Sequence, residues 1–127
     1  MARVLVVDDN GDERRMYARM LYYNGFDVLE AEDPIEGLEI AQEQHPDLIL
    51  MDYRMPRMDG LTAAEILRRS PETASIPVVC VTGQDLSESR IRNAGCRELI
   101  RKPAPIHELV KRVRTYVDEI EDQYTGE

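Results

Sequence analysis

Asp8 and Asp9 follow directly on the aliphatic run "VLVV", Asp52 on "LILM", Thr82 on "VVCV" and Lys102 on "ELIR". These are residue types that phosphoryl chemistry uses: carboxylates as hard oxygen ligands or as a nucleophile, a hydroxyl to donate a hydrogen bond, and an ammonium to neutralise oxyanions. Two adjacent carboxylates at the end of a buried run repel each other and both lose water, so folding alone does not favour them. A divalent cation compensates that charge. Three aspartates suit Mg²⁺, which prefers octahedral oxygen coordination and keeps part of its water. Asp8, Asp9 and Asp52 with Mg²⁺ and Lys102 sum to zero formal charge, which leaves a site able to accept a phosphoryl group.

These side chains act together only if the strand ends that carry them meet. "RVLVV", "DVLEA", "LILM", "IPVVCV" and "ELIR" read as strands, each followed by a segment of helical length or period. That alternation predicts an α/β fold, and the nearly continuous aliphatic runs predict central parallel strands covered by helices on both faces. Right-handed crossovers bring the C-terminal ends of parallel strands to one edge, where a binding crevice is expected. Asp52 ends the central strand and is the expected nucleophile, forming an aspartyl phosphate.

The helical segments carry their own punctuation. Asp33 is placed to cap a helix with Pro34 at its first position and Glu36 completing a capping box, and "DLSE", Asp85 to Glu88, repeats that cap before a shorter helix. The first helix sets Met16, Tyr17, Met20 and Leu21 on one face and stops near Asn24-Gly25; the last sets Leu109, Val113, Tyr116, Val117 and Ile120 together. Both stripes read as core contacts. The acidic end "DEIEDQYTGE" reads as a fraying helix and then a tail or linker, so the domain is assigned to residues 1–121 and the tail or linker to 122–127.

Sixteen Lys and Arg against 25 Asp and Glu give the 127-residue chain a formal charge of −9, a field that repels nucleic acid and anionic membranes. No apolar run approaches the roughly 20 residues of a membrane span, and the N-terminus lacks a signal-peptide layout, so a cytoplasmic location is expected. Cys80 reads as a small buried hydrophobe and Cys96 as unpaired; His45 and His107 are isolated, and neither reads as a ligand or base.

In order along the chain, "VLVVDDN", "PDLILMDYRMPRMDG", "IPVVCVTG" and "GCRELIRKP" resemble the receiver domains of two-component response regulators, over Arg3 to Ile120. The resemblance implies a doubly wound, five-stranded parallel sheet in order 2-1-3-4-5 with five helices. It implies Asp8 and Asp9 as the acidic metal pair for Mg²⁺, Asp52 as phosphoacceptor, Thr82 as switch hydroxyl and Lys102 as phosphate-binding cation. It further implies the backbone carbonyl of Arg54 as a metal ligand and a cis peptide at Lys102-Pro103. The switch position, aromatic in most such domains, is Leu99, while Arg54 and Gln84 flank the phosphorylation site as tuning residues.

The function implied is a phosphoacceptor switch that takes its phosphoryl group from a histidine kinase or phosphotransfer protein, loses it by self-dephosphorylation, and presents an altered surface to an output partner. It is not a conventional turnover enzyme. Arg90, Arg92, Arg101, Lys111, Arg112 and Arg114, followed by Asp118, Glu119 and Glu121, are expected on or near the helix 4, strand 5 and helix 5 face, where they could serve a symmetric homodimer. A haloacid-dehalogenase-type phosphatase is the enzyme alternative, but its general acid would stand two residues after the nucleophile, where Arg54 cannot donate a proton. A flavin-binding domain would want a phosphate loop where "DDNGDE" is strongly acidic. An unphosphorylated, degenerate receiver acting as an interaction module is the remaining alternative.

Overall fold

Strand residues with side chains alternating between two covered faces organise the protein. The computed structural model describes residues 1–125, with side chains to Asp118; the expectations for Glu119, Ile120, Glu121 and residues 126–127 lie outside the described residues. β1 (Arg3–Val7), β2 (Asp27–Ala31), β3 (Leu48–Asp52), β4 (Val78–Thr82) and β5 (Glu98–Arg101) form one parallel sheet in the order β2-β1-β3-β4-β5. Between and after them run α1 (Gly11–Tyr23), α2 (Pro34–Gln44), α3 (Gly60–Arg69), α4 (Glu88–Asn93) and α5 (Ile106–Thr125).

The period of two along each strand sorts the core into two layers. Leu5, Val7, Ile49, Met51, Val78 and Cys80 pack with Ala41, Leu61, Ala64, Leu67 and Ile91 of α2, α3 and α4. Val4, Val6, Leu48, Leu50, Val79 and Val81 pack with Tyr17, Leu21, Leu109, Val113 and Val117 of α1 and α5. β1, β3 and β4 are almost wholly buried on both sides, which is why their sequences are aliphatic without polar alternation.

Register places the strand ends. Val7 pairs with Met51, so Asp8 emerges beside Asp52; Thr82 pairs with Arg101, so Lys102 emerges one residue beyond. α3 then approaches closely: a Cβ on Gly60 would lie 2.2 Å from the Asp52 carbonyl oxygen, so only glycine fits there.

Two details differ from expectation. Met16 is 43% exposed and Met20 half-buried, while Ala18 is buried, because the inward stripe of α1 is centred on Tyr17, Ala18 and Leu21. Ser87, not Asp85, caps α4 through the Arg90 N–H at 3.2 Å, which leaves Asp85 to pair with Arg101. The helical backbone of α5 continues to Thr125.

Candidate functional site

The C-terminal ends of β3 and β4, with the residues that follow β1 and β5, carry Asp52, Thr82, Asp8, Asp9 and Lys102. Oxygen atoms of Asp8, Asp9 and Asp52 all lie within 4.8 Å of one another. Asp8 is 2% exposed and Asp52 8% exposed, whereas Asp9 faces solvent. Asp8 Oδ1 accepts the Asn10 N–H at 2.9 Å, and the Arg14 guanidinium donates to the Asp8 carbonyl at 2.9 Å, which ties the turn to α1. Asp8 Oδ2 is buried with no donor facing it.

Lys102 reaches in from the end of β5. Its Nζ lies 3.1 Å from Asp52 Oδ1 and 2.6 Å from Glu13 Oε1, and Glu13 Oε1 also accepts the Tyr17 hydroxyl at 3.0 Å. The pocket therefore holds four carboxylates and one ammonium, which two of them share. The charge balance read from three aspartates omitted Glu13. With a dication bound, the cluster keeps one net negative charge.

The consequence is visible in proton affinities. Burial pushes the Asp8 carboxyl up to about 7, partly offset by the Asn10 N–H and reinforced by the charges of Asp52 and Glu13. Burial also raises Asp52, against the pull of Lys102, and a proton held on Asp8 can be shared with it. Burial alone would lower Lys102, but its bonds to Glu13 and Asp52 outweigh this and raise it. The Tyr17 phenol is raised by burial and by Glu13. A buried, undonated carboxylate oxygen beside two further carboxylates is the donor set that a hard divalent cation fits.

Around this centre, Thr82 is buried and its Oγ1 accepts the Gln84 N–H at 3.2 Å. A cavity of about 450 Å³ opens beside it, lined by Asp9, Tyr53, Arg54, Met55, Asp59 and Gln84. With its amide oxygen turned toward Arg54, Gln84 accepts from Arg54 Nη2 at 3.1 Å and from Nε. The two side chains thus form one bridge over the mouth instead of acting separately. The Lys102-Pro103 peptide is cis. Leu99 lies on β5 at a second cavity of about 620 Å³, together with Leu86, Ile91, Arg92, Arg97 and Arg112.

Two expected members of the helix 4, strand 5 and helix 5 face point elsewhere. Arg90 donates to the Tyr53 hydroxyl at 3.2 Å and sits over that ring, on the side of the cavity that Tyr53 shares with Asp9. Arg114 donates to the Asn24 carbonyl at 2.8 Å and sits over Phe26, toward the end of α1. Helical spacing predicted neither, since rotation about α4 and α5 is decided by their packing. The remaining arginines find partners within the chain: Arg92 with Glu88, Arg112 with Glu98 and Glu108, and Arg101 with Asp85.

Sequence reasoning missed Glu13, Tyr17 and Tyr53 as site residues, and the meeting of Cys80 with Cys96. The cysteines are free thiols whose Sγ atoms lie 3.2 Å apart in the core, where the hydrogen bond between them and burial push the Cys80 thiol well up. The signal for Glu13 was present as "NGDE", an asparagine cap followed three residues later by glutamate.

A family model described as response regulator receiver domain matches residues 4–114. The polar-differentiation response regulator DivK of Brucella ovis is 32% identical over 116 residues, covering 90% of this chain and 94% of DivK. Protein PilH of Pseudomonas aeruginosa is 36% identical over 115 residues, covering 89% and 95%. Among solved structures, Vibrio cholerae chemotaxis protein CheY4 superposes with a TM-score of 0.86 at 29% identity, covering 91% of this chain and 98% of CheY4. A CheY-like receiver domain protein from Methanospirillum hungatei gives 0.90 at 26% identity, covering 97% and 98%.

Proposed function

The chain belongs to the response-regulator receiver family, a family of signalling switches, and we propose that its phosphoacceptor is Asp52. One observation carries the assignment: Asp52 alone is flanked by both the other aspartates and Lys102, at the end of the central strand. An Asp52 oxygen attacks the phosphorus of a phosphohistidine on a kinase or phosphotransfer protein. The P–N bond breaks, its electron pair returns to the imidazole, which is protonated, and an acyl phosphate remains. Mg²⁺, held by Asp8, Asp9, Asp52 and the Arg54 carbonyl, would supply charge neutralisation at the phosphoryl oxygens. Lys102 donates to those oxygens and Thr82 adds a hydroxyl hydrogen bond.

The Arg54–Gln84 bridge supports a long-lived phosphoryl group. Self-dephosphorylation needs water in line behind phosphorus, and a guanidinium has no acceptor with which to orient that water. Output partners engage the face of α4, β5 and α5, where Leu99 replaces an aromatic switch. A homodimer through that face has less support, because the charges expected to pair between copies pair within the chain. Sedimentation of free and phosphorylated protein tests it, an increase in mass favouring the dimer. No helix among the described residues is long and apolar enough to cross a membrane. The net charge of −9 disfavours nucleic acid as a direct partner, and the reading places the domain in the cytoplasm, with residues 122–127 as its tail or linker.

Intact mass after incubation with Mg²⁺ and a small acyl phosphodonor tests the acceptor. Wild type gains one phosphoryl group and Asp52→Asn gains none; equal labelling of the two would sink the assignment.

A further inference from the structure

Glu13 stands at the third position of α1, three residues after the Asn10 cap. A glutamate there ordinarily turns back to accept the cap residue's own N–H. Here that N–H is donated to Asp8 Oδ1 at 2.9 Å, so the glutamate is released from capping. Its Oε1 instead receives Lys102 Nζ at 2.6 Å and the Tyr17 hydroxyl at 3.0 Å. Asp52 Oδ1 lies farther from the same ammonium, at 3.1 Å. Both members of the Lys102–Glu13 pair are mostly buried, so solvent screens their attraction only in part.

We propose that Glu13 is a positioning residue that holds Lys102 toward α1 in the unphosphorylated protein, so that a phosphoryl group on Asp52 must draw the ammonium away from it. The inference rests on the receiver reading of the site. Glu13 acts in two ways with the same sign: it occupies a lysine proton, and it adds a negative charge to a pocket about to receive an anion. Orienting Lys102 near Asp52 works in the other direction. Restraint outweighs orientation because Glu13 is the nearer carboxylate and the pocket, even with a dication, keeps a negative balance.

Releasing Lys102 also changes a surface. Glu13, Met16, Tyr17, Lys102, Pro103 and Ala104 line a groove of about 420 Å³ between α1 and the connection from β5 to α5. Exposed Met16 lies on its rim. Phosphorylation therefore leaves the Glu13 carboxylate with Tyr17 as its partner and alters the charge lining this groove, a route to the surface that does not pass through Leu99.

The test uses the full chain with Mg²⁺ and the beryllium trifluoride anion as a stable stand-in for the phosphoryl group. Glu13→Gln, which keeps size and an acceptor for Tyr17 but removes the charge, is expected to bind the anion about tenfold more tightly than wild type. Glu13→Asp, which withdraws the charge by one methylene, falls between them, and Tyr17→Phe, which takes from the released carboxylate its remaining donor, shifts in the opposite direction by less. The side-chain ¹⁵N resonance of Lys102 supplies a readout that a purely structural role would not move. It should shift on anion binding in wild type, and start near the bound position in Glu13→Gln. Unchanged or weaker binding by Glu13→Gln, with an unmoved Lys102 resonance, overturns the inference while the receiver reading stands. A wild-type chain that takes neither the anion nor a phosphoryl group overturns that reading, and the inference with it.

Discussion

In the pocket at the strand ends, Asp52 and Glu13 share Lys102 while Asp8 and Asp9 crowd Asp52, whereas on the face of α4, β5 and α5 Arg92 meets Glu88, Arg112 meets Glu98 and Glu108, and Arg101 meets Asp85. The surface pairs are matched and mostly solvated, so each contributes little and tolerates change. The pocket is unmatched and dehydrated at Asp8 and Asp52, so its excess charge becomes a demand for protons, metal or a rearranged lysine. An imbalance held out of water is where this protein is able to respond to a ligand.

The strongest way to break the contrast is to remove the buried charge. The folded state raises the Asp8 carboxyl from an ordinary 3.8 to about 7, so it holds the proton more tightly than the unfolded chain does. The stabilisation from that proton is complete below about 4 and is lost as pH rises through about 7. Asp8→Asn cannot ionise. In metal-free urea unfolding, wild type should therefore lose stability relative to Asp8→Asn between pH 4 and 7, by on the order of 4 kcal/mol. Parallel curves for the two proteins across that window would contradict the buried-charge account.

Cation binding should offset the same cost. Mg²⁺ at about a hundred times its dissociation constant is expected to stabilise wild type by about 2.7 kcal/mol. Asp9→Ala loses most of that gain through loss of a ligand while being more stable than wild type without metal, since the cluster then carries one charge fewer; thermal melts with and without Mg²⁺ measure both effects.

A smaller effect concerns the Arg54–Gln84 bridge. Arg54→Ala should lose its phosphoryl label several-fold faster than wild type, on the order of 1 kcal/mol in barrier, and Gln84→Ala should change the rate less. Equal decay in wild type and Arg54→Ala would show that the bridge does not guard the water path. At the low end, Arg92→Ala on the paired face should alter unfolding free energy by less than about 0.5 kcal/mol, a change that salt further reduces. A loss of 2 kcal/mol or more would mean that the face is not the solvated counterpart described.

Much of this was legible because it depends on local pattern. Five aliphatic runs with helical segments between them specify a parallel α/β sheet, and parallel strands joined by crossovers must deliver Asp8, Asp9, Asp52, Thr82 and Lys102 to one edge. The caps at Asp33 and the stop at Asn24-Gly25 were equally local, involving residues within one turn of each other. The cap of α4 was misplaced by two residues because Asp85 and Ser87 both suit capping, and the ion pair of Asp85 with Arg101, 16 residues away, removed one of them.

What the amino-acid sequence by itself determined was the class of chemistry: carboxylates, a hydroxyl and an ammonium at matched strand ends, on a sheet whose order follows from its connections. Tertiary structure alone decided how those groups share charge. The turn after β1 diverts the Asn10 N–H to Asp8, which frees Glu13 for a lysine 89 positions later; the register of β4 and β5 brings that lysine within reach; and the rotation of α4 and α5 sends Arg90 and Arg114 away from the face that helical spacing suggested. These outcomes depend on distances of a few ångströms between residues remote in the chain, which no periodicity encodes, whereas periodicity and strand order suffice to say which residues meet.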